Sequence, residues 1–235
     1  MPLLEGLRVL QLGPGPGAAV CGRILADLGA AVQTLAAGPE TPLRRWLDDG
    51  KQPAGAWDAA ELIVCEGTPA ELRANRWDEA SLRTQAPDAV IVLIGPFGQT
   101  GPQADCPASD LTLFCASGIA YLLTGQVDDL GEAPIRPTGH QSAFIGGLAG
   151  ACAGMHALLS GDSNRTVDVS IQEALATLAM TELARAGLGK GSWQRKRQTD
   201  GNGATVTILP ASDGYVAISP RENHQWAEWL NVMGD

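Results

Sequence analysis

The sequence predicts an α/β fold: a parallel sheet with helices on its flanks, followed by the start of a second, smaller domain at the C-terminus. Three observations carry this. Short apolar runs alternate with helical segments over roughly the first hundred residues. The run Ala89-Val90-Ile91-Val92-Leu93-Ile94 is apolar throughout, as a strand buried on both faces of a parallel sheet must be. Beyond Arg185 the chain turns glycine-rich and then shows two short strands about Ser212-Asp213-Gly214.

Taken in order, Leu7–Leu12 is predicted as a buried strand, Ala18–Leu28 as a helix closed by Gly29, and Ala30–Leu35 as a second strand. Gly38–Trp57, with its prolines and glycines, is expected to be a surface stretch before a third strand, Glu61–Cys65. Trp77–Gln85 is expected to be helical, and Pro87 introduces the Ala89–Ile94 strand. After Pro102 the pattern predicts apolar helices over Leu111–Leu123 and Phe144–Leu159, a short strand Thr166–Ser170, and a helix from Ile171 to Arg185. Gly187–Gly203 is predicted as an exposed linker, Thr205–Leu209 and Tyr215–Ser219 as paired strands, and a last helix begins near Glu222 in a cap region with His224. The domains expected are a large one over residues 1–200 and, over 201–235, a linker with the start of a small domain that looks incomplete at Asp235.

Twenty-six acidic against sixteen basic residues give a net charge of −10, without a basic stripe to offset it, which argues against a nucleic-acid partner. Cys21, Cys65, Cys106, Cys115 and Cys152 form no C-x-x-C pair, so they are expected to be reduced, buried thiols and metal binding is not expected. No basic segment leading into an apolar one opens the chain, so a cytoplasmic location is expected. Pro137–Gly161 carries no formal charge and spaces Gly146, Gly150 and Gly154 as packed transmembrane helices do. It is short, glycine-rich and contains His156, so close packing on another backbone, without a membrane, is expected. Met155, Met180 and Phe144 are expected to be core residues.

Gly13, Gly15 and Ala18 satisfy the loose G-x-G-x-x-G/A spacing of dinucleotide-binding turns. That fingerprint requires an acidic side chain about 20 residues further on, at the end of the second strand. Here that stretch is Ala31-Val32-Gln33-Thr34-Leu35-Ala36-Ala37, and Pro14 and Pro16 remove two amide donors from the turn. No NAD is therefore expected, only a tight strand-to-helix turn.

Six stretches in order, "LEGLRVLQL", "LADLGAAV", "VIVLIGPFGQTGP", "SDLTLFCASG" with "LLTG", "TVDVSIQEAL" and "DGYVAIS", resemble the family III CoA-transferases, the group that includes carnitine and formyl-CoA transferases and α-methylacyl-CoA racemases. The resemblance spans nearly the whole chain. It implies a Rossmann-like large domain, a small domain, and two interlocked chains, with the glycine-rich turn beside an acyl-CoA site. It also implies a nucleophilic aspartate just before the helix of Phe144–Leu159, where this chain has Ala143; His140 and Gln141 are the remaining candidates nearby. Ser109 stands where the racemases' histidine is expected. Asp110 and Asp168 are expected to make local hydrogen bonds. The charged residues that follow the family's second strand are Thr34, Leu35, Ala36 and Ala37 here, and the span Gly50–Glu61 is shorter than usual. Candidate contacts to a coenzyme A thioester are Gly15, Gly17, Arg44, Arg45, Arg73, Phe97 and Gly98, with Lys51 as a further possible phosphate partner. The function so implied is that of a catalytically silent subunit or half, forming a homodimer or a heteromer with an active related chain. The alternative is an active enzyme that transfers CoA between carboxylic acids or racemises an acyl-CoA.

Overall fold

The computed structural model describes residues 2–35, 38–54, 60–122, 137–161, 164–189 and 207–234. By contact the chain divides into two compact units, Met1–Ile119 with Arg136–Ala184, and Ala120–Ile135 with Arg185–Asp235. The expected domain boundary at residue 200 lies outside the described residues.

The first unit is built on β1 (Arg8–Leu12), β2 (Ala31–Leu35), β3 (Gln52–Pro53), β4 (Leu62–Glu66), β5 (Val90–Gly95) and β6 (Thr166–Ser170). All pair in parallel, in the order β3-β2-β1-β4-β5-β6. The connection that leaves β1 for β2 goes one way and the one that reaches β4 goes the other, so the order reverses between β1 and β4. In open α/β sheets such a switch point opens a crevice beyond the carboxyl ends of the strands. β4 and β5 are buried along almost their whole length, Leu62, Ile63, Val64 and Ile91 among the least exposed residues.

Helices α1 (Pro16–Asp27), α2 (Pro42–Asp48), α3 (Pro69–Asn75), α4 (Glu79–Gln85), α5 (Asp110–Ala116), α6 (Ile119–Leu122) and α7 (Gln141–Leu159) lie between these strands along the chain, and α8 (Ile171–Ala176) and α9 (Met180–Gly187) follow β6. Two of these were not expected. In the predicted surface stretch α2 forms because Thr41 caps it, accepting from Arg44 N, and Pro42 occupies the first turn, where its missing N–H costs nothing. α3 starts on a full capping box, Thr68 with Glu71, again with proline in the first turn. The predicted helix over Leu111–Leu123 is instead α5 and α6, separated at Gly118, whose φ of +78° ends the first. The helix predicted over Ile171–Arg185 is interrupted by a tighter turn at Thr177–Ala179. Met180, expected in the core, is exposed, as are Cys106, Cys115 and Cys152; only Cys21 and Cys65 are buried thiols, and all five are free.

α7 is the helix that closes the sheet. Gly146, Gly147, Gly150 and Gly154 face inward, where a Cβ at Gly150 would meet Ile94 at 2.9 Å and one at Gly147 would meet the Gly17 carbonyl oxygen at 2.5 Å and Val20 at 2.6 Å. The backbones of α7 and α1 thus approach one another over a glycine. Among the described residues α7 alone is long and apolar enough to cross a membrane by length and composition, yet this inward face packs on strands and on α1.

Arg23 fixes α1 to α2: it donates to the carbonyl oxygens of Trp46 and Asp49 at 2.9 and 3.0 Å, and its guanidinium lies 5.2 Å from the centre of the Trp46 ring, which stacks on Phe144 of α7. Beneath α1, Gln11 of β1 is fully buried and accepts from Lys51 Nζ at 2.7 Å; the same ammonium donates to Ala19 O at 2.8 Å.

The second unit contains a hairpin of β7 (Thr207–Ala211) and β8 (Gly214–Ile218), antiparallel as predicted, and α10 (Asn223–Met233), begun by a capping box of Glu222 with Gln225.

Gly147→Ala is expected to destabilise the chain by about 1–3 kcal/mol, because the new methyl meets backbone that cannot step aside. Gly154→Ala meets only the ends of Val92 and Leu62, at 3.1 and 3.3 Å, and is expected to cost clearly less. Urea unfolding of both variants checks this; equal midpoints would contradict the close approach.

Candidate functional site

The crevice at the switch point is real: a cavity of about 300 Å³ lined by Pro14, Gly15, Glu66, Glu71, Trp77 and Pro96, among others. β1 delivers the glycine-rich turn, β4 ends on Glu66, and β5 ends at Gly95 just before Pro96. Two helices begin at this corner, α1 and α7, since a methyl on Gly17 would stand 3.1 Å from Glu66 Oε2 and 3.5 Å from the Ala143 carbonyl oxygen.

The first turn of α1 leaves N–H groups without partners inside the helix, and such an end attracts anions. Glu66 fills it. Its Oε2 accepts from Ala18 N at 2.7 Å, and a Cβ on Gly15 would fall 2.2 Å from that oxygen. Gly15 is therefore required by the protein's own carboxylate. Burial pushes the Glu66 carboxyl up to about 7, while the N–H groups of Ala18 and Gly17 and the Arg44 guanidinium favour the anion; nearby Glu71 adds to the upward shift.

α7 is served in the same way. Asp110, in the first turn of α5, accepts from Ser142 N at 2.9 Å and from the Ser142 hydroxyl through Oδ1; its Oδ2 is buried without a partner. The next residue, Ala143, is 6% exposed. At the outer rim the turn Phe97-Gly98-Gln99 is pinned by Asp168 of β6, which accepts from Gln99 N at 3.0 Å through both oxygens. Gly98 has φ of +80° and a Cβ there would meet Asp168 at 3.3 Å, so the turn needs glycine on both counts.

The family model of CoA-transferase family III matches residues 57–235. The chain belongs to CoA-transferase family III. It is 32% identical over 180 residues to the succinyl-CoA:(R)-benzylsuccinate CoA-transferase subunit BbsE of Thauera aromatica, a match that takes in 74% of this chain and 42% of that protein. The chain thus spans less than half the length of that curated relative. Among solved structures, a CAIB/BAIF family protein from Brucella suis superposes with a TM-score of 0.77 at 21% identity, over 100% of this chain and 70% of that one. The hypothetical protein Rv3272 from Mycobacterium tuberculosis gives 0.75 at 20% identity, over 98% and 69%. These likenesses show that the fold is shared.

Of the residues singled out for a CoA-transferase site, Gly15, Gly17 and Arg44 meet at the β1–α1 turn, where Arg44 Nη1 donates to Pro14 O at 3.0 Å. Phe97 and Gly98 lie on the turn after β5. Arg45 is exposed and paired with Glu40 at 2.8 Å, and Arg73 is exposed and paired with Asp105 at 3.6 Å. Lys51 is not available to a phosphate: its side chain has no solvent exposure and its ammonium is spent on Gln11, Ala19 and Asp48. His140 precedes α7 with its side chain making no cap, and Gln141 turns its amide back to Thr138 O at 3.0 Å; both are exposed. Asp110 and Asp168 make hydrogen bonds, but not the local ones expected of them: their partners Ser142 and Gln99 lie 32 and 69 residues away along the chain. Glu66 was not anticipated: nothing local marks it, and its partner lies 48 residues away along the chain.

Because the folded chain holds the Glu66 proton to about pH 7 and an unfolded one releases it near 4.5, stability should fall as pH rises between these values. Glu66→Gln keeps an oxygen for Ala18 N and should remove this slope, with a gain on the order of 2 kcal/mol at pH 7.5 relative to pH 5. Urea unfolding at both pH values measures it; parallel pH profiles for wild type and variant would show that Glu66 is not held in the protonated form.

Proposed function

We propose that this chain is a catalytically silent subunit or half of a family III CoA-transferase, assembling as a homodimer or, in our preferred reading, with an active related chain. The observation that carries the reading is Ala143. In the resemblance, CoA transfer runs through a carboxylate at this position that attacks the thioester carbonyl, expels the CoA thiolate and is regenerated in a later exchange. A methyl group can do none of this. The carboxylates that are near are already engaged, Glu66 on the start of α1 and Asp110 on the start of α7. That the BbsE protein is itself named a subunit supports the partnership. The reading implies a CoA thioester as ligand, through the family, and the five free thiols agree with a reducing, cytoplasmic setting.

One observation favours the alternative of an active transferase or racemase: Asp110, whose Oδ1 accepts from Ser142, the residue before Ala143, keeps its Oδ2 buried without a partner. The two readings separate on covalent chemistry. Incubation of the purified chain with a panel of acyl-CoA thioesters, then intact-mass analysis with and without hydroxylamine, is expected to show no acyl adduct. An adduct that maps to Asp110 or Glu66 would replace the silent reading with the active one.

Assembly is checked separately. Light scattering coupled to gel filtration, with and without a co-expressed active family member, is expected to show a stable complex; a chain that remains monomeric under both conditions would overturn the subunit reading.

A further inference from the structure

The crevice at the switch point carries an inference that goes beyond the silent-subunit reading, because it concerns the sign of charge that the crevice accepts. Among the described residues no arginine, lysine or histidine lines its volume of about 300 Å³. The polar side chains that do are two carboxyls, Glu66 and Glu71, and the carboxamide of Asn75. Each carboxyl holds a helix start through one oxygen: Glu66 Oε2 accepts from Ala18 N at 2.7 Å, and Glu71 Oε2 from Thr68 N at 2.8 Å. A carboxylate offers about four acceptor sites, so both keep capacity that these bonds do not use. Asn75 donates its amide N–H to Glu71 O at 2.8 Å, and its own oxygen is the atom it has to offer. Trp77, between α3 and α4, supplies an indole wall, its Cζ3 3.1 Å from where a Cβ on Gly13 would stand. Acceptor oxygens beside an aromatic ring suit a cation.

The charges nearby do not reverse this. Arg44 lies close enough to favour the Glu66 anion, but it does not line the crevice and is paired with Asp48, so that pair adds no net charge. The partial positive charge at the start of α1 is already met by Glu66. A phosphate or carboxylate in the crevice would therefore face two acidic groups, whereas an ammonium would be neutralised by them. We propose that the crevice between Glu66, Glu71 and Trp77 is a binding site for a small primary ammonium compound. Its N–H groups donate to the two carboxyls and to the Asn75 oxygen, and its apolar body lies on Trp77, Leu72 and Pro96. Binding is linked to a proton. Below about pH 7 burial, with Glu71 acting the same way, keeps the Glu66 carboxyl protonated against the Ala18 and Gly17 N–H groups and Arg44. A bound ammonium favours the carboxylate, so binding releases that proton, and affinity rises as pH is raised through this range.

Calorimetric titration of the full chain with benzylammonium, benzyl alcohol and benzoate, which are close in size and differ in charge, tests this. Benzylammonium is expected to bind, the alcohol about tenfold or more weakly, and benzoate not at all. Glu71→Gln, which keeps an oxygen for Thr68 N, is expected to weaken benzylammonium by about tenfold. Titration at pH 6 in two buffers of different ionisation enthalpy is expected to show proton release in the wild type and none in Glu66→Gln. Should either variant fail to fold, the ranking of the three probes and the proton release of the wild type still decide. Benzoate or the alcohol binding as tightly as the amine, an affinity unchanged in Glu71→Gln, or amine binding without proton release at pH 6 overturns the proposal. Coenzyme A that displaces bound benzylammonium would make the crevice a seat for an anion and overturns it as well. None of these readouts depends on acyl adducts or on a partner chain, so failure here is distinguishable from failure of the silent-subunit reading.

Discussion

Everything at the crevice depends on how closely α7 lies on α1. The contact is made where Gly147 passes the Gly17 carbonyl oxygen, at a separation that leaves no room for a methyl. Because the two helices touch near their beginnings, their N-termini open side by side at the switch point of the sheet, and two partial positive charges face one small volume. An apolar lining could not leave them so. The protein answers with carboxylates of its own, Glu66 from the end of β4 and Asp110 from the start of α5, each accepting from the first turn of one helix.

This arrangement changes what a glycine-rich turn means. In a dinucleotide-binding site the glycines admit a ligand's pyrophosphate to the helix start. Here Gly15 admits Glu66, whose Oε2 occupies the space that a side chain at residue 15 would need. The same spacing thus serves an internal carboxyl group, and the stretch Ala31–Ala37 at the end of β2 carries no acidic side chain. It also explains why burial raises the Glu66 carboxyl so far: the group is held in the low-dielectric corner by two N–H groups, without a full ion pair to compensate its charge.

The parts of this picture that could be read from the sequence are those encoded by local pattern. Five of the six parallel strands were predictable because each is a short run with apolar or β-branched side chains, and α7 because its small residues recur on one face. α2 and α3 were hidden by the residues that start them: Thr41-Pro42 and Thr68-Pro69 look like breaks in a chain until a helix is seen to follow. Glu66 and Gln11 could not be found this way. One is a single carboxylate closing a strand and the other a single amide inside one, and each acquires its role only when the β1–β4 pairing and the β1–α1 crossover bring distant groups to it. Ala143 was legible only through the family resemblance, since an alanine at a helix start is otherwise unremarkable.

The polar groups beneath α1 complete the account of why Arg44 stays where it is. Thr34, Gln11, Lys51, Asp48 and Arg44 form a continuous chain of hydrogen bonds and ion pairs from β2 to the glycine-rich turn. Desolvation lowers the Lys51 ammonium to about 8, opposed by Asp48, so the two cations share one carboxylate in a buried setting. Such a network is stable only as a whole, because removing one member strands the charge of another. Arg44 is therefore held from behind by Asp48 and in front by the Pro14 carbonyl.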